Sequence, residues 1–266
     1  MATLITEKNL LFDRNQKPAL VVDPGSTVSF ETCAPLCNQA HNIQEARHRM
    51  TNKIRGPQLT GPVYIKGAKP GDTLVVEVLK VEFSEPGFQL IGPDRAIIRD
   101  EISEWTFYRI EVDEDRLQLP CGISLPVEPV IGTLGSARAQ GEPDDIAGLL
   151  GGNMDVPAVG VGSKVFIPVE VEGALFSLGD VHARQGDGEV VGAPEMPSLT
   201  TVRFQLETNG LYEQIMIIND GWMHLPDSRL TEAEAARSAV LKNATFISQT
   251  YGVELKDALI LLTMLG

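Results

Sequence analysis

SLGDVHARQGDGEVVGAPE, Ser177 to Glu195, sets four carboxylates and one histidine among glycines within nineteen positions. The residues leading into it have a strand's rhythm: Val165, Ile167, Val169 and Val171 recur at every second position, and Ala174 to Leu178 are mostly apolar. The expectation is chemistry delivered at the end of a β-strand. In a strand, residues two apart share a face, so Asp180 and His182 point together, as do Asp187 and Glu189 if the turn at Gln185–Gly188 returns as a second strand.

Outward from this stretch, β signals dominate. Pro18–Val22 and Thr27–Glu31 flank an Asp-Pro-Gly turn at Asp23–Gly25, and Asp72–Phe83 is the longest strand candidate. PGSTVSFE at Pro24, PGDTLVVE at Pro70 and VGSKVFIP at Val161 share a turn followed by an apolar alternating run, at irregular spacing that suggests repeated hairpins rather than a solenoid. Thr32–Pro57 reads as a surface loop or short helix, and Leu119–Gly135 as loop and short strand. Val202, Phe204 and Leu206 form a half-buried strand, with Gln214–Ile218 expected to pair near it.

The C-terminal part is helical. Thr231 and Glu234 make a capping box, Ala233, Ala236, Val240, Ala244, Ile247 and Tyr251 recur at helical spacing, Gly252 ends the helix, and a second runs from Leu255 to Leu265. The expected architecture is α+β and β-rich: sandwich-like antiparallel sheets with helices toward the C-terminus. The 266 residues are read as one domain, with a β-rich part over 1–207 and a smaller α+β part over 208–266.

Charge narrows the function classes. Lys and Arg number 22 against 36 Asp and Glu, a net charge of −14. Nucleic-acid and anionic-membrane surfaces need clustered positive charge, which argues against both partners. The N-terminal MATLITEKNLLFDRNQ lacks a basic leader and a long apolar core, and no apolar run nearby spans a bilayer, so a cytoplasmic location is expected. The three cysteines, Cys33, Cys37 and Cys121, are expected to be reduced thiols.

With Asp155 from the GGNMD stretch and Glu195 just beyond the motif, Asp180 and His182 make an oxygen-rich set with one nitrogen. Such a set suits Zn, or Ca or Mg if waters complete the sphere, and points to metal-assisted hydrolysis. The alternative is that Asp and Gly simply build tight turns, because Asp187-Gly188 is also a hairpin signal. Cys33, Cys37, His41 and His48 match no standard zinc-finger spacing and read as two small buried thiols and two surface imidazoles. Cys121 has no histidine near it in sequence, which favours a packed loop cysteine over a nucleophile.

Three blocks carry a resemblance: TGPVYIKGAKPGDTLVVEV (Thr60–Val78), GGNMD (Gly151–Asp155) and GDVHARQGDGEVVG (Gly179–Gly192). Together they resemble the acetamidase/formamidase family. The resemblance implies hydrolysis of the carbon–nitrogen bond of small amides to ammonia and a short carboxylate, in a metal-bearing, β-rich, homo-oligomeric enzyme. Carried over, it implies Asp155, Asp180 and His182 as metal ligands, Glu189 or Glu195 as the proton-handling carboxylate beside His182, and Asn153 and Gln185 as substrate-binding residues. Leu150 stands where relatives often carry histidine, Arg184 replaces a small residue, Gly192–Glu195 is one residue short, and the sequence stops at Gly266 where family members usually continue. These departures keep a second expectation open, a homologue that holds an ion for a structural or ligand-binding role without turnover.

Overall fold

Val and Ile at alternate positions build long paired strands, because branched side chains pack well on a pleated surface. In the computed structural model, which describes residues 2–34, 42–52, 58–93, 101–210 and 212–265, this chemistry produces three sheets. The first sheet comprises β1 (Thr3–Ile5), β4 (Thr27–Glu31), β15 (Ser198–Glu207), β6 (Thr73–Phe83), β13 (Lys164–Pro168), β16 (Met216–Asn219) and β17 (Trp222–His224), in that order. A second runs β12 (Gly151–Asn153), β11 (Val130–Gly135), β14 (Phe176–His182), β5 (Leu59–Ile65) and β2 (Lys8–Asn9), with β3 (Leu20–Val22) also on β5. A small third sheet holds β10 (Ser124–Pro126), β9 (Arg116–Gln118), β8 (Thr106–Asp113) and β7 (Gly87–Ile91).

The two larger sheets share one core. Val28, Phe30, Val76, Val165 and Phe204 come from the first, Val63, Ile131, Phe176 and Leu178 from the second, and all belong to a single buried cluster. Phe176 meets Phe30 and Phe204 edge-on across the layers, with ring centroids 5.9 and 5.3 Å away. Each such pair adds about 1 kcal/mol beyond its buried area. The sandwich-like, β-rich expectation therefore holds, although β1–β4 and β3–β5 pair in parallel, so the sheets are mixed.

Two local expectations change. Residues 214–218 contribute β16, which pairs with β13 and β17 rather than beside β15. β6 already satisfies that side of β15, and β13 stands between β6 and β16. α1 (Ile43–Thr51) is the short helix of the N-terminal third, and α2 (Glu232–Tyr251) and α3 (Leu255–Leu265) form where capping and periodicity place them. The Thr231 side chain accepts from the Glu234 N–H, and Gly252 closes α2 at φ 66°.

The face by which α2 docks is not the expected one. Of the six apolar positions read as its face, only Ala244 is buried, and Val240 and Tyr251 are exposed. Polar anchors seat the helix instead: Ser238 donates to Asp227 at 2.6 Å, Lys242 pairs with Asp227 at 2.7 Å, and Asn243 donates to the Leu225 carbonyl at 3.3 Å. Phe246 then packs against the cluster of Val75, Phe166, Met216 and Leu225. Among the described residues, no helix is long and apolar enough to cross a membrane.

Candidate active site

β11 and β14 lie antiparallel, with Val130 opposite His182 and Thr133 opposite Gly179. On the far side of β11, β12 pairs Thr133 with Asn153, which delivers the GGNMD segment to the end of β14. Gly151 and Gly152 adopt φ of 98° and 120°, a backbone path closed to other residues, and this path turns Asp155 inward. Asp155 and Asp180 themselves have φ of 49° and 55°, and Glu189 35°. Carboxylates held in left-handed backbone are uncommon and concentrate where a fold serves a ligand.

Despite that kink, Asp180 and His182 do come together. His182 is 1% exposed, and its Nε2 lies 3.5 Å from Asp180 Oδ1 and 3.5 Å from Glu195 Oε2. Its Nδ1 lies 3.8 Å from Asp155 Oδ1. The hairpin expected through Asp187 and Glu189 does not form, because residues 187–191 make turns and Asp187 is exposed. The chain instead returns at Glu195, which bridges both His182 and Phe88. Glu189 stays partly buried in the turn, close enough for its charge to act on Asp155.

A ring of hydrogen bonds orients these groups. Gln185 Nε2 donates to the Asp155 carbonyl at 2.6 Å, so its Oε1 faces His182 Nδ1, also at 2.6 Å. In the neutral ring Nδ1 then carries the proton, which leaves the lone pair on Nε2. Thr133 Oγ1 contacts Asp180 Oδ2 at 3.1 Å and also bonds Asn153 Oδ1, and Asn153 Nδ2 donates to Asp155 Oδ2 at 2.9 Å. Half of the eight buried side-chain atoms that lack a hydrogen-bond partner among the described residues belong to this site: Asp155 Oδ1, Asp180 Oδ1, His182 Nε2 and Glu195 Oε2. Buried polar atoms are rarely left unpaired, and unpaired atoms that converge mark the place of an ion or ordered water.

Ligand atoms of Asp155, Asp180 and His182 all lie within 4.8 Å of one another. Gly132 keeps the space between them open, since a Cβ there would stand 2.5 Å from Asp155 Oδ1 and 2.9 Å from His182 Cε1. Two carboxylates and one imidazole at this separation can hold a divalent ion. Sequence reasoning missed Gly132 and Thr133, though a glycine inside the apolar run VIGTLG is itself a sign of close approach.

Electrostatics agree with an ion-accepting site. Burial and the neighbouring Asp180 charge push Asp155 up to about 7, and the same two causes push Glu195 up to about 8. For His182, burial works downward, but Asp180 and Glu195 outweigh it and raise the imidazole well above its usual value. For Asp180, burial works upward, but the adjacent His182 ring, with Thr133, holds the carboxyl below its usual value. Asp155 and Glu195 thus keep protons that the unfolded chain gives up near their ordinary values of 3.8 and 4.5, which makes the metal-free fold less stable as pH rises toward 8. His182 acts in the same direction, because its stabilising contribution is complete below 6.5 and is lost as pH climbs through its raised value. Metal-free protein is expected to melt at lower temperature at pH 8.5 than at pH 6, with an added divalent ion reversing the order. Thermal unfolding at both pH values with and without chelator checks this.

The family model of the acetamidase/formamidase family matches residues 9–116 and 147–261. The chain belongs to that family. A provisionally named formamidase of Schizosaccharomyces pombe is 29% identical over 73% of this chain, and an acetamidase of Mycolicibacterium smegmatis 26% identical over 73%. The chain spans 63% and 64% of their respective lengths. The crystal structure of an acetamidase from Bacillus halodurans superimposes with a TM-score of 0.92 at 29% identity, covering 98% of this chain and 89% of that one.

Two positions singled out in the sequence change meaning in the structure. Leu150 is 3% exposed within the central apolar cluster. Arg184 does not add charge to the site, because its Nη1 pairs with Glu128 at 2.8 Å and donates to the Pro126 carbonyl at 3.0 Å. Cys121 is an exposed thiol rather than a packed one, and Cys37 and His41 of the loose cysteine–histidine pattern lie outside the described residues.

Proposed function

We propose that this chain hydrolyses the carbon–nitrogen bond of small aliphatic amides, releasing ammonia and a short carboxylate, at a divalent metal held by Asp155, Asp180 and His182. The grouping of Asp155, Asp180 and His182, whose ligand atoms lie within 4.8 Å of one another and include buried atoms without a hydrogen-bond partner, carries this reading. Family membership supplies the reaction class, and the formamidase and acetamidase names of the relatives support the substrate class. One imidazole among carboxylates favours Zn, with Ca or Mg as the oxygen-loving alternatives. When bound, such an ion polarises a carbonyl and lowers the pKa of water.

The chain's own residues do the rest. Glu195, largely buried and 3.5 Å from His182 Nε2, is assigned the proton work: its carboxylate takes a proton from the attacking water and returns it to the departing nitrogen. A carboxyl pushed up to about 8 is suited to hold and release a proton near neutrality. Glu189 acts on Asp155 through its charge and is the secondary candidate for that work. Gln185 commits both ends of its amide to His182 and Asp155, so we assign it the positioning of the ring rather than substrate contact. Asn153 also bonds at both ends, to Thr133 and Asp155, but unlike the buried Gln185 it is exposed, which suits the amide of a substrate.

The same reading places the enzyme in the cytoplasm as a homo-oligomer, and the exposed Leu255, Ile260, Met264 and Leu265 of α3 support self-association. Ammonia release from formamide and acetamide, measured beside metal content, tests the proposal. Turnover that tracks bound metal is expected. Full activity in metal-free protein would overturn the metal mechanism, and bound metal with no release across a panel of small amides would favour the inactive-homologue reading.

A further inference from the structure

Asn153 has a second neighbourhood. Its side chain also lines a cavity of about 290 Å³ whose apolar wall includes Leu149, Met154, Val156 and Ile215. Arg229, Lys242 and Asp227 line the same cavity. That volume sits at the small end of ligand pockets, which run from about 300 Å³ upward.

Charge at this cavity runs against the rest of the chain. The Asp227 side chain is fully buried and is met by Arg229 Nη1 at 2.7 Å and Lys242 Nζ at 2.7 Å. Two cations against one carboxylate leave one positive charge in excess, in a protein whose net charge is −14. Arg229 is largely committed, with Nη1 also donating to the Ser228 carbonyl and Nη2 to Ser238 Oγ. Lys242 is not: its ammonium has three protons to donate and Asp227 is its one partner among the described residues. Its side chain is only 22% exposed, so the remaining donors are not fully served by bulk water.

We propose that this cavity binds a short aliphatic monocarboxylate, its chain against Leu149 and Ile215 and its carboxylate on Lys242. A small cavity with an apolar wall and one surplus ammonium on its lining matches that chemistry. Because Asn153 both lines the cavity and holds Asp155, occupancy is felt at the metal cluster. Resting on the amide-hydrolysis reading, the ligand is of the class that reaction releases, and the cavity gives product feedback.

Isothermal titration with acetate, propionate and butyrate, and with butan-1-ol as the uncharged comparison, tests the binding directly. Affinity is expected to rise about fourfold per methylene, and butan-1-ol is expected to bind at least tenfold more weakly than butyrate. Lys242→Met is expected to lower butyrate affinity at least tenfold and Lys242→Arg to restore it, while Asp227 keeps Arg229 and Ser238 as partners. If Lys242→Met fails to fold, Leu149→Trp fills the cavity without touching the ion cluster and is expected to abolish butyrate binding. Equal binding of butan-1-ol and butyrate overturns the proposal, as does butyrate affinity unchanged in both variants. Butyrate binding lost in Asp180→Asn or after chelation also overturns it, because the carboxylate would then sit at the metal cluster. A protein that binds butyrate yet hydrolyses no amide refutes the proposed reaction and leaves this site standing.

Discussion

Asp180→Asn is expected to strip the divalent ion from the protein and to lower amide turnover by more than about 100-fold, the upper range for loss of a mere supporting partner. Asparagine keeps the shape of the side chain and tolerates the left-handed backbone at φ 55°, so the fold survives the exchange. What disappears is the negative charge that draws the cation and helps raise both Asp155 and Glu195. His182→Ala, which removes the single nitrogen donor, is expected to give the same two losses. Metal analysis, ammonia release and a melting curve on each variant check this, and an Asp180→Asn protein that keeps its metal and its turnover would refute the site.

Gly132→Ala is expected to have an effect of comparable size from a single methyl group. Its Cβ would stand 2.5 Å from Asp155 Oδ1 and 2.9 Å from the Asp180 carbonyl oxygen. The Asp155 carboxylate can swing aside, but the Asp180 carbonyl is backbone held between the paired positions Ile131–Val181 and Thr133–Gly179, so the methyl displaces the Asp155 carboxylate or pushes the strands apart. Overpacking of this kind costs about 1–3 kcal/mol, and metal affinity is expected to fall about 100-fold, as for a disturbed ligand shell. Gly186→Ala, in the same motif but with nothing within 4 Å of the new methyl, is the comparison that should bind metal normally. Near-normal metal binding by Gly132→Ala would show that the ion sits elsewhere.

Much of this was legible in the residues themselves. Period-two Val and Ile runs located β6, β13 and β15, and the capping pair Thr231–Glu234 located α2, because those signals are local. The docking face of α2 was not legible, since Ser238, Lys242 and Asn243 seat it through Asp227 and Leu225, partners that periodicity does not encode. Asp180 and His182 were readable as neighbours from their spacing, and Glu195 was grouped with them, but the route that brings Glu195 to His182 was hidden. It depends on a turn that replaces the expected hairpin and on a bridge to Phe88 from a distant sheet. Gly132 and Thr133 escaped because their role is defined by what approaches them from β12 and β14, far along the chain.

The left-handed turns at Asp155 and Asp180 also bear on how such a site changes over generations. For most residues at those two positions the backbone alone would cost about 1–2 kcal/mol, before any effect on a ligand. Asparagine avoids that cost, and a single nucleotide separates its codons from those of aspartate. On the proposed metal reading, silent descendants of this chain, folded but unable to hold a cation, are therefore reached most easily through Asp155→Asn or Asp180→Asn. An asparagine at either position is the mark by which a retired copy of the gene would be recognised.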